Sequence, residues 1–325
     1  LMLILEVLLH LKSKQCDVIA AFLHADLEEN KKVYVEMPLG FWTKGKVLKL
    51  KKTLYGLRQS WHAFWKFLTK AMIGAGMHVS KSDPCLFVSK KAIAVAFVED
   101  ILFWSSDVDI DELGLKLRAQ DLLLEQEDDA AGFLGVKMTQ TEEGLLEMKQ
   151  TGLIDRIIDA LGLDSKLSTN KWTPAEAKPL THDKDGEPCQ GSFSYASVVG
   201  MMLYLAGHTR PVIAYAVNCC AWYMFAPKLV HKVALKRIGR YLKATRDKGL
   251  ILNPSGTLKI DAYPVDFAGL YGYLKITDPA CVKSRTGFLI TVLDCPMVWV
   301  SKLQTKTALS MMEVEIVALM HCCWE

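Results

Sequence analysis

Two acidic residues, Glu99 and Asp100, stand side by side between two apolar, β-rich runs in AVAFVEDILFW, and Asp17 precedes a third apolar run, VIAAF. A buried carboxylate without a partner is costly. An acidic pair in such a place is therefore either exposed at a hairpin tip or gathered round a cation. Three carboxylates converging from a strand end and a hairpin could hold two Mg²⁺ ions about 3.5–4 Å apart. Ions at that spacing clamp an in-line displacement at phosphorus, activating the attacking hydroxyl and stabilising the leaving oxygen. The plain alternative is two surface acids near strand ends.

Charge is arranged in blocks around these acids. Residues 31–70 carry ten Lys or Arg against Glu36 alone, interleaved with Tyr34, Phe41, Trp42, Tyr55, Trp61, Phe64, Trp65 and Phe67. Residues 99–129 reverse the sign with eleven carboxylates, and residues 228–248 are basic again, with eight Lys or Arg against Asp247. The basic blocks suit a polyanion and the acidic block a divalent cation, or each is the solvated face of an amphipathic element. Lys232, Lys236, Arg240 and Lys243 fall at i, i+4, i+8 and i+11, one basic helix face.

The positioning elements follow from periodicity. VLLHLK reads as a helix end and QCDVIAAFLHADL as a short strand running into a turn or helix. KVLKLKK alternates as a half-buried strand. SWHAFWKFLTKAMIGAGM places Trp61, Phe64, Trp65, Leu68 and Met72 on one helical stripe that ends at Gly74 and Gly76. CLFVSK and AIAVAFVEDILFW are strand-rich, VDIDELGLKLRAQDLLLEQ is a helix, and GFLGVKMTQTEEGLLEMKQ is two strands about a turn. Residues 164–192, with Pro174, Pro179, Pro188, Gly186 and Gly191, mark a linker. Three helices follow, then strands in GLILNP, TLKIDAY, TGFLITVL and MVWVSKL, then a last helix after Ser310. This succession predicts an α+β layer with helices packed on an antiparallel sheet.

With 325 residues, 51% hydrophobic and 23% charged, the chain can bury a large core, which excludes global disorder. A net charge of +3 decides nothing by itself. Nine cysteines without a C-x-x-C spacing read as reduced thiols in a cytosolic or nuclear setting. The apolar start LMLILEVLLHLKSK has the wrong polarity for a secretory signal, and no run reaches the ~18 apolar residues of a membrane span.

The sequence resembles the copia-type retrotransposon polyprotein in its reverse transcriptase and following RNase H-like region. The matching stretches include QCDVIAAFLHADLEENKKVYVEMPLGF, KVLKLKKTLYGLRQS, SDPCLF, AFVEDILFW, YASVVGMMLYLAGHTRP, ALKRIGRYLKATRDKGL, KSRTGFLI and WVSKLQTKTALS, in family order. The resemblance implies a right-hand polymerase palm, an antiparallel sheet with helices on one face. A helical thumb or connection and a C-terminally truncated RNase H-like α/β domain follow. The implied domains are a palm with partial fingers over 1–163, a linker over 164–192, the thumb or connection over 193–249 and the RNase H-like part over 250–325. It further implies Asp17, Glu99 and Asp100 as metal ligands for Mg²⁺, with Mn²⁺ as a substitute, and Phe22 as the aromatic gate beneath the incoming sugar. Tyr55, Gly56, Arg58 and Gln59 would contact nucleotide and template, and Asp266 and Glu315 would be RNase H carboxylates. The implied partners are an RNA or DNA template with primer, dNTPs and the rest of the element polyprotein. The setting would be cytoplasmic or nuclear, in an element particle, with no membrane.

Some positions depart from the family. Glu99 stands where the family has Asp, and Tyr263 to Val265 stand where the first Asp of the RNase H pair is expected. Trp61, Val212 and Trp222 replace residues usual in their motifs. An added methylene at a metal-bridging position predicts impaired catalysis in this copy, because Mg²⁺ demands near-ideal octahedral geometry. The alternative is a catalytically dead, nucleic-acid-binding relic.

Overall fold

The computed structural model describes residues 1–28, 31–127, 132–164, 169–176, 178, 180–189, 193–255, 260–264, 285–304 and 311–324. The chain forms two units, Leu8–Leu134 and Leu1–Val7 with Gly135–Glu325. Helices and sheets are both present, an α+β architecture. The apolar start forms α1 (Met2–Leu8).

In the unit Leu8–Leu134, β1 (Ser13–Val18) leads into a 3-10 turn (Ala21–Leu23). After it come β2 (Tyr34–Val35), β3 (Leu48–Lys49) and α2 (Ser60–Gly74). Four strands follow, β4 (His78–Val79), β5 (Leu86–Val88), β6 (Ile93–Phe97) and β7 (Asp100–Trp104). The last two elements are α3 (Asp107–Arg118) and β8 (Leu124–Glu127). Six strands make one sheet in the order β4-β5-β6-β7-β1-β8, each pairing antiparallel. Phe64, Leu68 and Met72 of α2 and Ile110, Leu113 and Leu117 of α3 share one core with Cys16, Val18, Ala94, Ala96, Ile101 and Phe103 of the sheet. Burying a side chain such as Phe64 fully contributes about 1.5–3 kcal/mol. Ser106 caps α3 by accepting from the Asp109 N–H.

Two expected elements differ. The helix expected over VDIDELGLKLRAQDLLLEQ ends at Arg118, and Asp121 takes a left-handed φ of 61°. The remainder becomes β8, which pairs with β1 instead. Consecutive leucines fit either period, so pairing with β1 decided the outcome. KVLKLKK keeps only the two residues of β3, both exposed, paired with the equally short β2, and Lys52 adds only an isolated bridge to Asp26. Of the α2 stripe, Phe64, Leu68 and Met72 are buried, while Trp61 is 60% exposed.

In the other unit, β9 (Lys137–Gln140) and β10 (Leu146–Lys149) form the expected strand pair, followed by α4 (Thr151–Ala160). The three expected helices are α5 (Tyr195–His208), α6 (Ala214–Ala221) and α7 (Leu229–Ala244). A short β11 (Leu250–Leu252) then joins β10. Helices α4 to α7 share a core that includes Ile157, Val199, Met202, Val217, Leu235 and Leu242. A β-carbon on Gly239 of α7 would lie 2.5 Å from a methyl of Leu161, so glycine permits this close approach. A second three-stranded sheet comprises β12 (Ile260–Pro264), β13 (Arg285–Val292) and β14 (Cys295–Leu303), and α8 (Met311–Trp324) closes the chain. Among the described residues there is no disulfide, and no helix is long and apolar enough to cross a membrane.

Buried polar side chains tie this unit together. Arg210, 3% exposed, donates to the carbonyls of Thr245 (2.8 Å) and Lys248 (3.2 Å), satisfying acceptors past the end of α7. The segment 180–189 is held against the start of α7. Tyr223 donates to Leu180 O (3.0 Å) and Lys228 Nζ to Gly186 O (2.9 Å). His231, fully buried, accepts from the Lys228 N–H on Nδ1 (2.8 Å), which leaves its Nε2–H to donate to Thr181 O (2.9 Å). Burial is the main cause that holds the His231 pKa below its ordinary value. The neutral imidazole therefore belongs to the folded state, and its stabilisation is present above about pH 6.5. Below that pH the unfolded chain takes up the proton first, and stability falls towards the lower folded pKa. The thermal midpoint should drop more steeply below pH 6.5 in the parent chain than in His231→Asn, measured by calorimetry across pH.

Candidate active site

Strand register brings two of the three expected acids together. Asp17 of β1 stands opposite Asp100 of β7, and Asp100 stands opposite Phe97 of β6. Cys16, Val18 and Ile101 point into the helix-covered core, so alternation turns Asp17 and Asp100 to the opposite face. Directly opposed residues have β-carbons about 4.5–5.5 Å apart. Both acids are half-buried. On the other side of Asp17, β8 sets Glu125 opposite it, which extends the acidic row to three strands. Glu125 was not among the expected residues. The only signal for it lay in DLLLEQ, whose strand character the leucine run conceals.

The third expected acid, Glu99, sits at the two-residue turn between β6 and β7. Val98 at this turn has φ 57°, a left-handed conformation that is a real outlier for a β-branched residue. The turn is tied to β1 because the Val18 N–H donates to Glu99 O at 2.9 Å. The Glu99 side chain in turn is engaged: Tyr55 Oη donates to its Oε2 at 2.9 Å.

Tyr55 arrives there by backbone pairing. The Leu27 N–H donates to Lys51 O (3.1 Å) and the Thr53 N–H to Ala25 O (2.9 Å), while the Thr53 hydroxyl donates to Phe22 O. Gly56 follows at φ 91°, a turn conformation that favours glycine. Ser60 Oγ donates to Leu54 O at 2.7 Å, which fixes the entry to α2. The Phe22 ring meets Tyr55 edge-on at 4.7 Å and Phe64 edge-on at 5.9 Å. Burial first, then the hydrogen bond and charge of Glu99 and the charge of Asp17, push the Tyr55 phenol pKa up. The phenol therefore stays a protonated donor.

Among the other expected residues, Arg58 is exposed, and Gln59 is half-buried at the N-cap of α2 without capping it by its side chain. Glu315 lies on α8, and its side chain is outside the described residues, as is Asp266 altogether. The basic helix face is partly committed: Lys243 Nζ donates to Leu163 O at 2.7 Å, and Lys232 lies 5.7 Å from the Phe193 ring centre.

Among the described residues no three His, Cys, Asp or Glu side chains are grouped so as to hold a metal ion. The Asp17–Asp100 pair still fits one hard cation in donor type, since Mg²⁺ is commonly held by one or two carboxylates together with substrate phosphates. Among the described residues Asp17, Glu99 and Asp100 do not form a three-carboxylate clamp, and Glu99 accepts from Tyr55.

A family model described as reverse transcriptase (RNA-dependent DNA polymerase) matches residues 1–177, more than half of the chain. The retrovirus-related Pol polyprotein from transposon RE2 of Arabidopsis thaliana is 31% identical over 310 residues, 93% of this chain and 20% of that protein. The corresponding polyprotein from transposon TNT 1-94 of Nicotiana tabacum is 30% identical over 330 residues, 95% of this chain and 24% of that protein. A putative transposon Ty5-1 protein of Saccharomyces cerevisiae is 25% identical over 88% of this chain and 92% of its own length. The chain thus spans about a fifth to a quarter of the plant polyproteins. The segment that carries the Asp17–Asp100 row and the Glu99 turn lies wholly inside the family match, and the chain belongs to the reverse transcriptase (RNA-dependent DNA polymerase) family, in the form found in copia-type retrotransposon Pol polyproteins.

Proposed function

We propose that this chain is the polymerase region of a retrotransposon Pol polyprotein, built for templated transfer of a deoxynucleotide onto a primer 3′-hydroxyl and impaired in this copy at Glu99. The observation that carries the reading is the in-register pair Asp17 and Asp100 beside a hairpin tip whose carboxylate is held by Tyr55. Asp17 and Asp100 are the residues that would hold a Mg²⁺ or Mn²⁺ ion. A divalent cation there supplies positive charge to the oxygens of an in-line phosphoryl transfer. Phe22, braced by Phe64, offers an apolar floor to the sugar of a dNTP and leaves no polar partner for a 2′-hydroxyl. Arg58 contributes exposed positive charge to the triphosphate or template, with Gly56 and Gln59 shaping the same turn.

In this reading residues 1–163 are the palm with partial fingers, and they include the sheet of Leu8–Leu134 with α2 and α3. Helices α5 to α7 are the thumb or connection, and β12 to β14 with α8 are the RNase H-like part, where Asp266 and Glu315 are the inherited carboxylates. The partners are an RNA or DNA template, a primer, dNTPs and the remaining polyprotein. Primer extension on an oligo(dT)-primed RNA template, in Mg²⁺ and in Mn²⁺, tests it. Glu99→Asp should extend the primer at least about tenfold faster than the parent chain, a gain of ~1.4 kcal/mol in the barrier. Asp17→Asn in the Glu99→Asp background should abolish extension. No extension by any variant, each shown to be folded, would sink the polymerase reading.

A second reading, a nucleic-acid-binding relic without chemistry, draws on the surface. Phe41 and Trp42 are 74% and 68% exposed beside Lys44 and Lys46, and exposed aromatics among cations suit stacking on single strands. Binding to single-stranded RNA should weaken about tenfold or more between low and physiological salt. Phe41→Ala with Trp42→Ala should weaken it further, as read by fluorescence anisotropy.

A further inference from the structure

We propose that Tyr55 and Glu99 form a latch across the floor of the candidate site, so that the impairment resides in a residue pair and not in Glu99 alone. The inference rests on the polymerase reading above and deepens it. Four constraints converge on the pair. Phe64 is 1% exposed, and Phe22 packs edge-on against it at 5.9 Å. Tyr55 packs edge-on against Phe22 at 4.7 Å, so its hydroxyl is aimed by a ring stack that begins in the core. From the other side, the Glu99 backbone is pinned by the Val18 N–H at 2.9 Å, next to a Val98 held in a left-handed turn. With both ends fixed, only side-chain length decides whether carboxylate and hydroxyl meet.

Glutamate has that length: the oxygens are 2.9 Å apart. An aspartate on the same backbone reaches roughly 1 Å less, which leaves a gap beyond the ~3.2 Å of a good hydrogen bond. The contact is thus specific to Glu99. It draws a negative charge over the Phe22–Tyr55 floor, where it opposes a triphosphate. Held there, the carboxylate is not grouped with Asp17 and Asp100 around a shared cation. Tyr55 acts through Glu99, as a positioning residue.

The test compares the full chain with Tyr55→Phe, Glu99→Asp and the double variant. Binding of dTTP is measured on a primed poly(A) template with Ca²⁺ in place of Mg²⁺, so that no chemistry is required. Each single variant should bind dTTP about tenfold tighter than the parent, the scale of one hydrogen bond to a charged group. The gains should not add: the double variant should bind no tighter than the better single one. Tyr55→Phe should also lower the thermal midpoint by about 2–4 °C in the parent background, and this loss should vanish alongside Glu99→Asp. Additive gains, or unchanged or weaker dTTP binding in Tyr55→Phe, would overturn the latch. If Glu99→Asp nevertheless extends primers, the polymerase reading survives that failure. If the variants bind dTTP as expected yet none extends a primer, the latch stands and the polymerase reading falls.

Discussion

The antiparallel register of β1 against β7 is the constraint on which the candidate site depends. Side chains alternate along a strand, so a slip of one residue would turn Asp17 and Asp100 into the helix-covered core and expose Cys16 and Ile101. Cys16 is 4% and Ile101 0% exposed, packed with residues of α2 and α3. Burying two carboxylates there instead would cost several kcal/mol, while the apolar burial would be lost. The hydrophobic face therefore fixes where the acids stand, although none of its residues touches them in a chemical role.

The same logic runs through the aromatics. A site on a loop would be loose, and residues 50–57 have almost no regular structure. They are held by pairing with residues 25–27 and by the buried Thr53, whose hydroxyl is taken by Phe22 O. Phe64, Phe22 and Tyr55 then pass rigidity from α2 to the surface as successive edge-on contacts, each favourable by about 0.5–1.5 kcal/mol beyond burial. The Tyr55 hydroxyl is accurate in space because the chain beneath it is packed.

Much of this was legible in the sequence where a local period met a matching partner. AVAFVEDILFW reads as two strand runs because its apolar stretches are long and are broken only by the acid pair, and β6 and β7 turn at Val98–Glu99, with Asp100 opening β7. The α2 stripe was legible for the same reason. Contacts across long sequence separations were not. Tyr55 and Glu99 are 44 residues apart, and no periodicity signals that one will reach the other. DLLLEQ misled because its leucines satisfy helix and strand alike, so the Asp17–Glu125 pairing was hidden until a partner strand was known. Arg210 shows a different limit. In GHTRP it stands out as a charged residue within an apolar stretch, yet its Nη1 donates to the carbonyls of Thr245 and Lys248 and its Nη2 to the Thr245 hydroxyl, a structural role that only tertiary contact reveals.

The packed frame and the acidic hairpin tip are held by different sets of interactions. Glu99 asks nothing of the core: it lies at a hairpin tip, its backbone bond to Val18 is indifferent to side-chain length, and its side chain accepts from Tyr55. Substitutions at Phe64, Ile101 or Val18, all 0–1% exposed, would instead cost about 1–5 kcal/mol through cavities or overpacking, a large part of a domain's total stability. Folding thus constrains the apolar frame strongly and the acidic tip hardly at all. The frame that positions the candidate site and the acid at its tip are held by separate interactions, and only the first set is needed for the protein to fold.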